Sequence, residues 1–246
     1  MKMISGLFAI CISGLFVACA PVLYAPTGQN VPLFHEKGEA NFSLGHSSTD
    51  DAEGINMMAA TAVTSKLAII GSFYALSESN SDPDLWKGTG RFFELGAGRY
   101  GTFGKTQVFA YEIFGGLGYG SIKNNSSDSQ IEATFLKPFI QPSIGLGGKV
   151  AEIAFTPRIA VVTYTSHRIN LTDPTYRQGA EDKKTTFVVE PGLTARVGYK
   201  NIKLQFQFSV TGFSYDTNDD YRLVNDDYVS IGLNYCVTKR YRSMQE

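Results

Sequence analysis

The 246-residue sequence has little charge and few of the side chains on which most catalytic sites depend. It contains three cysteines, three histidines and one tryptophan, and its 22 lysine and arginine residues are balanced by 23 aspartate and glutamate residues. The formal net charge of −1 excludes the basic surface that binds nucleic acid. Charged residues make up 18% of the chain and aromatic residues 13%, a composition that excludes an intrinsically disordered protein.

Helical patterning is also missing. After residue 18 no segment of useful length has helical periodicity. The mean hydropathy of −0.08 excludes a membrane protein built from several transmembrane helices. The length is sufficient for one large all-β domain with a sizeable core, or for two small domains.

The first 18 residues have the features of a secretory signal peptide. Lys2 provides a positive charge at the amino terminus. The stretch from Ile4 to Ala18 is apolar or small throughout, and it is too short to span a membrane as a helix. We therefore expect residues 1–18 to be removed from the mature protein.

The end of this segment, Leu15-Phe16-Val17-Ala18-Cys19, is similar to the bacterial lipobox, with Phe16 where leucine is usual. The resemblance implies cleavage between Ala18 and Cys19 and attachment of three acyl chains, such as palmitate, to Cys19. Each buried methylene group of such chains contributes about 0.8 kcal/mol, so that the anchor in outer-membrane lipid would be firm. The alternative is an ordinary signal peptide that is cleaved nearby.

The cysteines are consistent with this prediction. Cys11 leaves with the signal peptide and Cys19 carries the lipid, so that Cys236 remains alone and no intrachain disulfide can form. Cys236 lies in a predicted strand without a histidine close in sequence, and we interpret it as a buried structural residue.

The rest of the chain divides into an extended tether at residues 19–38 and a β-barrel domain at residues 39–246. Pro21, Pro26 and Pro32 mark the tether. The domain is predicted to be a single antiparallel up-and-down barrel of the outer-membrane type. Its ten predicted strands are residues 39–47, 55–64, 67–76, 90–101, 106–121, 131–147, 150–167, 185–198, 202–215 and 227–237.

The connections between the predicted strands alternate between short and long. Tight turns alternate with polar loops such as residues 77–89 and 168–184. Short turns at one rim and long loops at the other are typical of outer-membrane barrels, in which the short-turn rim is periplasmic. Because ten is even, we expect both ends of the chain at that rim, with a periplasmic amino terminus.

Side chains alternate with a period of two along the predicted strands. In residues 202–211 an apolar set from Ile202 to Val210 alternates with a polar set from Lys203 to Thr211. A charge that faces lipid costs about 2–4 kcal/mol at the bilayer midplane, so we expect the polar set to face the lumen and to form an ion-pair network instead of an open pore. The alternative is a soluble barrel with its charges in water. The predicted lumen charges are Glu94, Glu112, Lys137, Glu152, Arg158, Glu190, Arg196 and Lys203.

Four prolines interrupt this pattern, because each removes a hydrogen-bond donor from a predicted strand. They predict either bulges or an edge at which the barrel does not close. They are Pro138, Pro142, Pro157 and Pro191.

Catalytic patterns are weak. His46 and Ser48 share one face of a strand and invite comparison with the His-x-Ser of outer-membrane lipid A deacylases, but no acidic partner is evident. His167 and paired loop acids such as Asp219-Asp220 could serve an omptin-like protease. Neither pattern is specific, and we assign no catalytic residue, metal ligand or cofactor.

Two segments carry a resemblance to a known group. Tyr24-Ala25-Pro26 followed by Val31–Glu39, together with Phe139–Gly145, resembles small outer-membrane β-barrel lipoproteins of the Bacteroidota. The group is largely uncharacterised, so the resemblance implies an envelope barrel and neither an activity nor functional residues.

Three functions follow as hypotheses. The first is a lipid-anchored outer-membrane barrel with a structural or surface-interaction role. The second is a soluble periplasmic lipoprotein barrel that binds a small apolar ligand. The third is an outer-membrane barrel enzyme of the lipid A deacylase or protease type.

Overall fold

The computed structural model describes residues 23–49, 52–78, 87–104, 108–170, 185–213 and 227–238. Within these ranges the regular secondary structure consists of eleven β-strands. The strands are β1 (Ala40–Ser48), β2 (Glu53–Ala62), β3 (Leu67–Ser77), β4 (Lys87–Phe103), β5 (Phe109–Asn125), β6 (Gln130–Gly147), β7 (Ala151–Asn170), β8 (Thr185–Tyr199), β9 (Ile202–Val210), β10 (Gly212–Phe213) and β11 (Asp227–Val237). None of the described residues forms a helix that is long and apolar enough to cross a membrane.

The strands form one closed antiparallel sheet. From β1 to β9 each strand pairs with the next along the chain, β11 pairs with both β9 and β1, and β10 pairs with β8. Because only Thr211 separates β9 from β10, the two form a single strand of the barrel wall. The described strands therefore confirm the prediction of a ten-stranded, up-and-down β-barrel.

The apolar side chains point outward and the polar side chains point inward. In β9, Ile202, Leu204, Phe206, Phe208 and Val210 are exposed, whereas Lys203, Gln205, Gln207 and Ser209 are buried. Outward residues of the opposite wall repeat this pattern; Ile113 and Leu117 of β5 are each about half exposed. A soluble barrel has the opposite polarity, and this arrangement is that of outer-membrane barrels.

The four strand prolines lie on the outward or partly exposed face and do not open the sheet. Pro157 of β7 is directly opposite Pro191 of β8. Between β6 and β7, the flanking pairs Ile140–Ile159 and Ile144–Phe155 place Pro142 opposite Pro157. Pro142, Pro157 and Pro191 therefore lie side by side across three strands. Pairing continues on both sides of this row, and the irregularity between β6 and β7 lies between Thr134 and Phe135. The predicted open edge is therefore wrong, and the register shift in the described strands does not coincide with any of the four prolines.

The segment before β1 lies inside the barrel. Its described part begins at Leu23, and residues 23–34 are buried throughout. At its other end the backbone N–H of Gly38 donates to the carbonyl of Ala62 at the end of β2, 2.9 Å away, and the chain then enters β1. The structure thus places residues 23–34, predicted as part of a tether, in the lumen, where the barrel walls exclude them from solvent.

Three apolar layers surround this lumen segment, defined as residues 23–38. Tyr24 packs among wall residues that include Phe135 and Tyr164, near the long-loop rim. Phe34 packs edge-on against Tyr100 near the short-turn rim, with a centroid distance of 5.6 Å. Val31 and Leu33 contact the small residues Ala110 and Ala154.

Candidate functional site

The structure places all eight predicted lumen charges on the inward face of the wall. Each is at most 7% exposed, and Arg158 and Glu190 are fully buried. Two-residue alternation is the reason, because every one of them shares its face with the polar set of its strand. Seven of the eight come together in two clusters along the barrel axis.

The first cluster, here called the upper cluster, joins Glu94, Lys137, Arg158 and Glu190 from four strands. Arg158 Nε lies 2.6 Å from Glu190 Oε2, and Arg158 Nη1 lies 3.2 Å from Glu94 Oε2. Lys137 Nζ lies 2.6 Å from Glu94 Oε1 and 3.9 Å from Glu190 Oε2. Two acids thus face two bases, and the cluster needs no counter-ion from solution.

The lower cluster lies near the short-turn rim and joins Glu152, Arg196 and Lys203. The two oxygens of Glu152 are shared, one with Lys203 Nζ at 2.5 Å and the other with Arg196 Nη1 at 3.0 Å. Lys203 also donates to the carbonyl of Gly148 in a short turn, at 2.7 Å. This cluster links three neighbouring strands, β7, β8 and β9, at the short-turn end of the lumen.

Glu112 stands apart from both clusters. Its Oε1 accepts the backbone N–H of Phe34 at 2.9 Å, and among the described residues its Oε2 has no hydrogen-bond partner. The carboxyl group therefore binds the lumen segment and joins no ion pair of the described part of the barrel.

The wall binds the lumen segment through its backbone. Five successive carbonyl groups, from Thr27 to Val31, each accept a hydrogen bond from a wall side chain. Because the segment belongs to no sheet, these carbonyls would otherwise be buried without partners. In chain order the donors are Arg158 at 2.8 Å, Tyr74, Gln207 at 2.6 Å, Gln141 at 2.8 Å and Arg196 at 2.5 Å.

Side chains of the segment bind the wall in return. The Tyr24 hydroxyl donates to Glu190 Oε1 at 2.5 Å and accepts from Lys137 Nζ at 3.2 Å. Asn30 Nδ2 donates to the carbonyls of Ala59 and Gly71, at 2.9 and 3.0 Å, on the opposite side of the barrel. The segment is thereby held to several strands at once.

Sequence reasoning missed the lumen segment and three of its five carbonyl donors. Gln207 belongs to the polar set that the alternation in residues 202–211 defines, so the signal for it was present. Gln141 follows from the same rule applied to β6. Tyr74 carries no such signal, because a tyrosine in a strand is equally compatible with either face.

The predicted catalytic candidates form no assembled site in the described residues. His46 Nε2 lies 3.8 Å from Glu53 Oε2, with both side chains more than half exposed, and Ser48 donates to the carbonyl of Thr49. The side chain of His167, the paired acid Asp219-Asp220 and both residues of the predicted cleavage site, Ala18 and Cys19, lie outside the described residues.

The described residues also show no assembled cysteine site or metal site. Cys236 is buried in β11. The described ranges contain no group of three histidine, cysteine, aspartate or glutamate residues that could hold a metal ion.

Comparison with known proteins finds similarity to other barrels at low identity. Ail, the attachment invasion locus protein of Yersinia pestis, is 13% identical with a TM-score of 0.37, and the match covers 82% of this chain and 99% of that one. OmpT, an outer membrane protein of Vibrio cholerae, is 8% identical with a TM-score of 0.24, covering 81% and 96%. No protein-family model and no curated protein matches the chain.

Proposed function

We propose that this protein is a lipid-anchored outer-membrane barrel whose lumen is closed by its own amino-terminal segment, and that it acts as a structural or surface-interaction protein. The observation that carries the proposal is the run of five backbone carbonyls, Thr27 to Val31, each bound by a wall side chain. A lumen filled in this way has no room for a solute pathway. Any interaction with another molecule therefore belongs to the outside of the barrel or to its loops.

The outward apolar face supports the membrane location. Large hydrophobic side chains are exposed on every long strand, from Phe93 in β4 to Tyr235 in β11. Soluble monomers rarely expose contiguous apolar patches above a few hundred Å², whereas a barrel in a bilayer requires one all around. The lipobox-like segment that ends at Cys19 supports the anchor. The resemblance of Tyr24–Pro26, Val31–Glu39 and Phe139–Gly145 to Bacteroidota lipoproteins stays a prediction.

The two other hypotheses have less support. A soluble barrel that binds an apolar ligand needs an apolar interior with its charges outside, and the described wall has the reverse polarity. The lipid A deacylase and protease types both require a histidine close to its partner residues. In the described residues His46 forms an exposed pair with Glu53, and no catalytic site of either kind is assembled around it.

The proposal is tested on the full-length protein purified from cells grown with an alkyne-labelled fatty acid. We expect acyl label that disappears in Cys19→Ala, a folded band that shifts on heating in a denaturing gel, and no ion conductance in a planar bilayer. Cys236→Ser is the matched control and keeps the label. Stable ohmic conductance of the folded protein would contradict the closed lumen, and label that persists in Cys19→Ala would contradict the anchor.

A further inference from the structure

The lumen segment has a direction. Its carboxyl end lies at the short-turn rim, where Gly38 donates to Ala62 and Phe34 packs on Tyr100. Its amino end lies at the opposite rim. The chain therefore crosses the whole height of the barrel before the first strand begins.

Contacts at the amino end define this position. The carbonyl of Leu23 accepts a hydrogen bond from the Tyr164 hydroxyl at 3.4 Å, far along β7 from its start at the short-turn rim. Ala25 lines a small cavity together with Ala52, Glu78 and Gly88, which flank long connections. Leu23 thus lies beside the residues that lead into the long loops.

The reach of the chain then limits where Cys19 can be. Leu23 is the fourth residue after Cys19, so the two Cα atoms lie at most about 14 Å apart in a fully extended chain. Tyr164 is thirteen residues beyond the first residue of β7, which is about 43 Å along the strand and about 33 Å along the barrel axis at a tilt of about 40°. Cys19 cannot return to the short-turn rim through a lumen that the segment already fills.

We propose that the mature amino terminus opens on the long-loop face of the barrel, so that the acyl chains on Cys19 enter the membrane leaflet on that side. The position of the amino terminus rests on the direction of residues 23–38. The position of the acyl chains rests in addition on the proposed lipidation of Cys19. In an outer-membrane barrel the long loops face the cell exterior. The lipid anchor would then lie in the outer leaflet, opposite to the periplasmic position that the sequence predicts.

The acyl chains fit that leaflet chemically. The outward face of the barrel is apolar up to the long-loop half; Phe93 is 48% exposed in β4 and Tyr119 50% exposed in β5. These two residues pair directly across the sheet. Acyl chains that leave Cys19 and turn over the rim would meet hydrocarbon-compatible side chains on the wall.

The test compares the amino terminus with both rims of the barrel in intact cells. One variant carries an epitope after Ala20, a second carries it after Ser127 in the long-rim connection between β5 and β6, and a third carries it after Lys149 in the short turn between β6 and β7. We expect antibody to label the first two on intact cells and the third only after permeabilisation. Heat-modifiability of each variant shows that it has folded.

The proposal is overturned if the epitope after Ala20 is labelled under the same conditions as the one after Lys149. If Ser127 and Lys149 exchange their behaviour, the proposed orientation of the barrel fails, but the amino terminus must still follow Ser127. Val22→Cys in a Cys236→Ser background, treated with a membrane-impermeant maleimide, repeats the measurement without an insertion. Maleimide labelling of the mature Cys236→Ser chain without Val22→Cys would reveal a free Cys19 and contradict the lipid anchor alone.

Discussion

Arg158 is fully buried and uses each of its guanidinium nitrogens. Nε and Nη1 bind the carboxylates of Glu190 and Glu94, and Nη2 binds the backbone carbonyl and the hydroxyl of Thr27 at 2.8 and 3.1 Å. A hydrocarbon wall could not supply donors to a buried segment that lies outside any sheet. The charge on Arg158 therefore links the wall to the segment, and the two glutamates make that charge tolerable in the interior.

Removal of this one side chain gives a prediction at the residue scale. Arg158→Met leaves Glu94 and Glu190 facing each other with Lys137 as their remaining cation, and it removes the donor to the carbonyl of Thr27. Loss of one partner from a buried ion pair costs about 3–5 kcal/mol, so we expect a loss of unfolding free energy of that order in detergent or lipid. Denaturant titration followed by the heat-modifiable gel band measures it.

Glu132→Gln is the control for Arg158→Met. It removes the Glu132–Lys123 ion pair, whose atoms lie 2.7 Å apart on the accessible part of the barrel. Exposed pairs contribute little to stability, so the midpoint of unfolding should hardly move. An equal effect of both substitutions would show that the upper cluster does not hold the lumen together.

The inward position of each charge could be predicted from the sequence, but its partner could not. Two-residue alternation assigns Glu94 and Glu112 to the inward face of their strands. It depends on one strand at a time and therefore carries no information about contacts between strands. Which charges meet depends on the stagger between strands and on the segment in the lumen. Glu94 consequently joins the upper cluster, whereas Glu112 binds the backbone of Phe34.

At the scale of elements, the strands followed from the sequence and the lumen segment did not. If lipid surrounds the barrel, the alternation of apolar and polar residues in β9 predicts a strand whose apolar side chains face outward. Residues 19–38, with Pro26, Pro32 and polar residues such as Gln29 and Asn30, have the composition of an exposed linker. A polar lumen can bury such a linker, because wall donors satisfy its carbonyls, and composition alone does not distinguish the two environments.

A substitution within the segment tests whether the lumen is filled. A Cβ at Gly28 would lie 2.5 Å from both Met58 Cε and the Tyr228 hydroxyl, and the Tyr228 hydroxyl is itself held by Asn56 at 2.7 Å. We expect Gly28→Val to destabilise the folded barrel by about 1–3 kcal/mol, as overpacking of a dense interior does. Denaturant unfolding in lipid vesicles, followed by tryptophan fluorescence, measures the change.

Gly115→Val is the matched control, because the nearest atom to a Cβ at Gly115 is 3.9 Å away on the outward face. A branched side chain there suits a strand that faces lipid. The account requires a clear difference between the two variants. If Gly28→Val were as stable as Gly115→Val, the segment would not lie in the lumen as described.

At the scale of the whole molecule, closure of the sheet and the polarity of its two faces together make the barrel compatible with a lipid bilayer. A closed barrel leaves no unpaired strand edge in the hydrocarbon, and every outward position can then be apolar. The same closure creates an interior that water would fill. Here the lumen segment and the two charged clusters occupy it, so that the wall, the segment and the ion pairs stabilise one another.

The central claim is that apolar side chains face lipid while the charges are enclosed. Nitroxide labels at Phe206→Cys and Leu233→Cys, in a Cys236→Ser background reconstituted into vesicles, test it by their collision rates with oxygen and with a water-soluble nickel chelate. We predict high oxygen access and low chelate access at both positions, and the reverse for Ser127→Cys in the connection after β5. Chelate access at Phe206 equal to that at Ser127 would contradict the account.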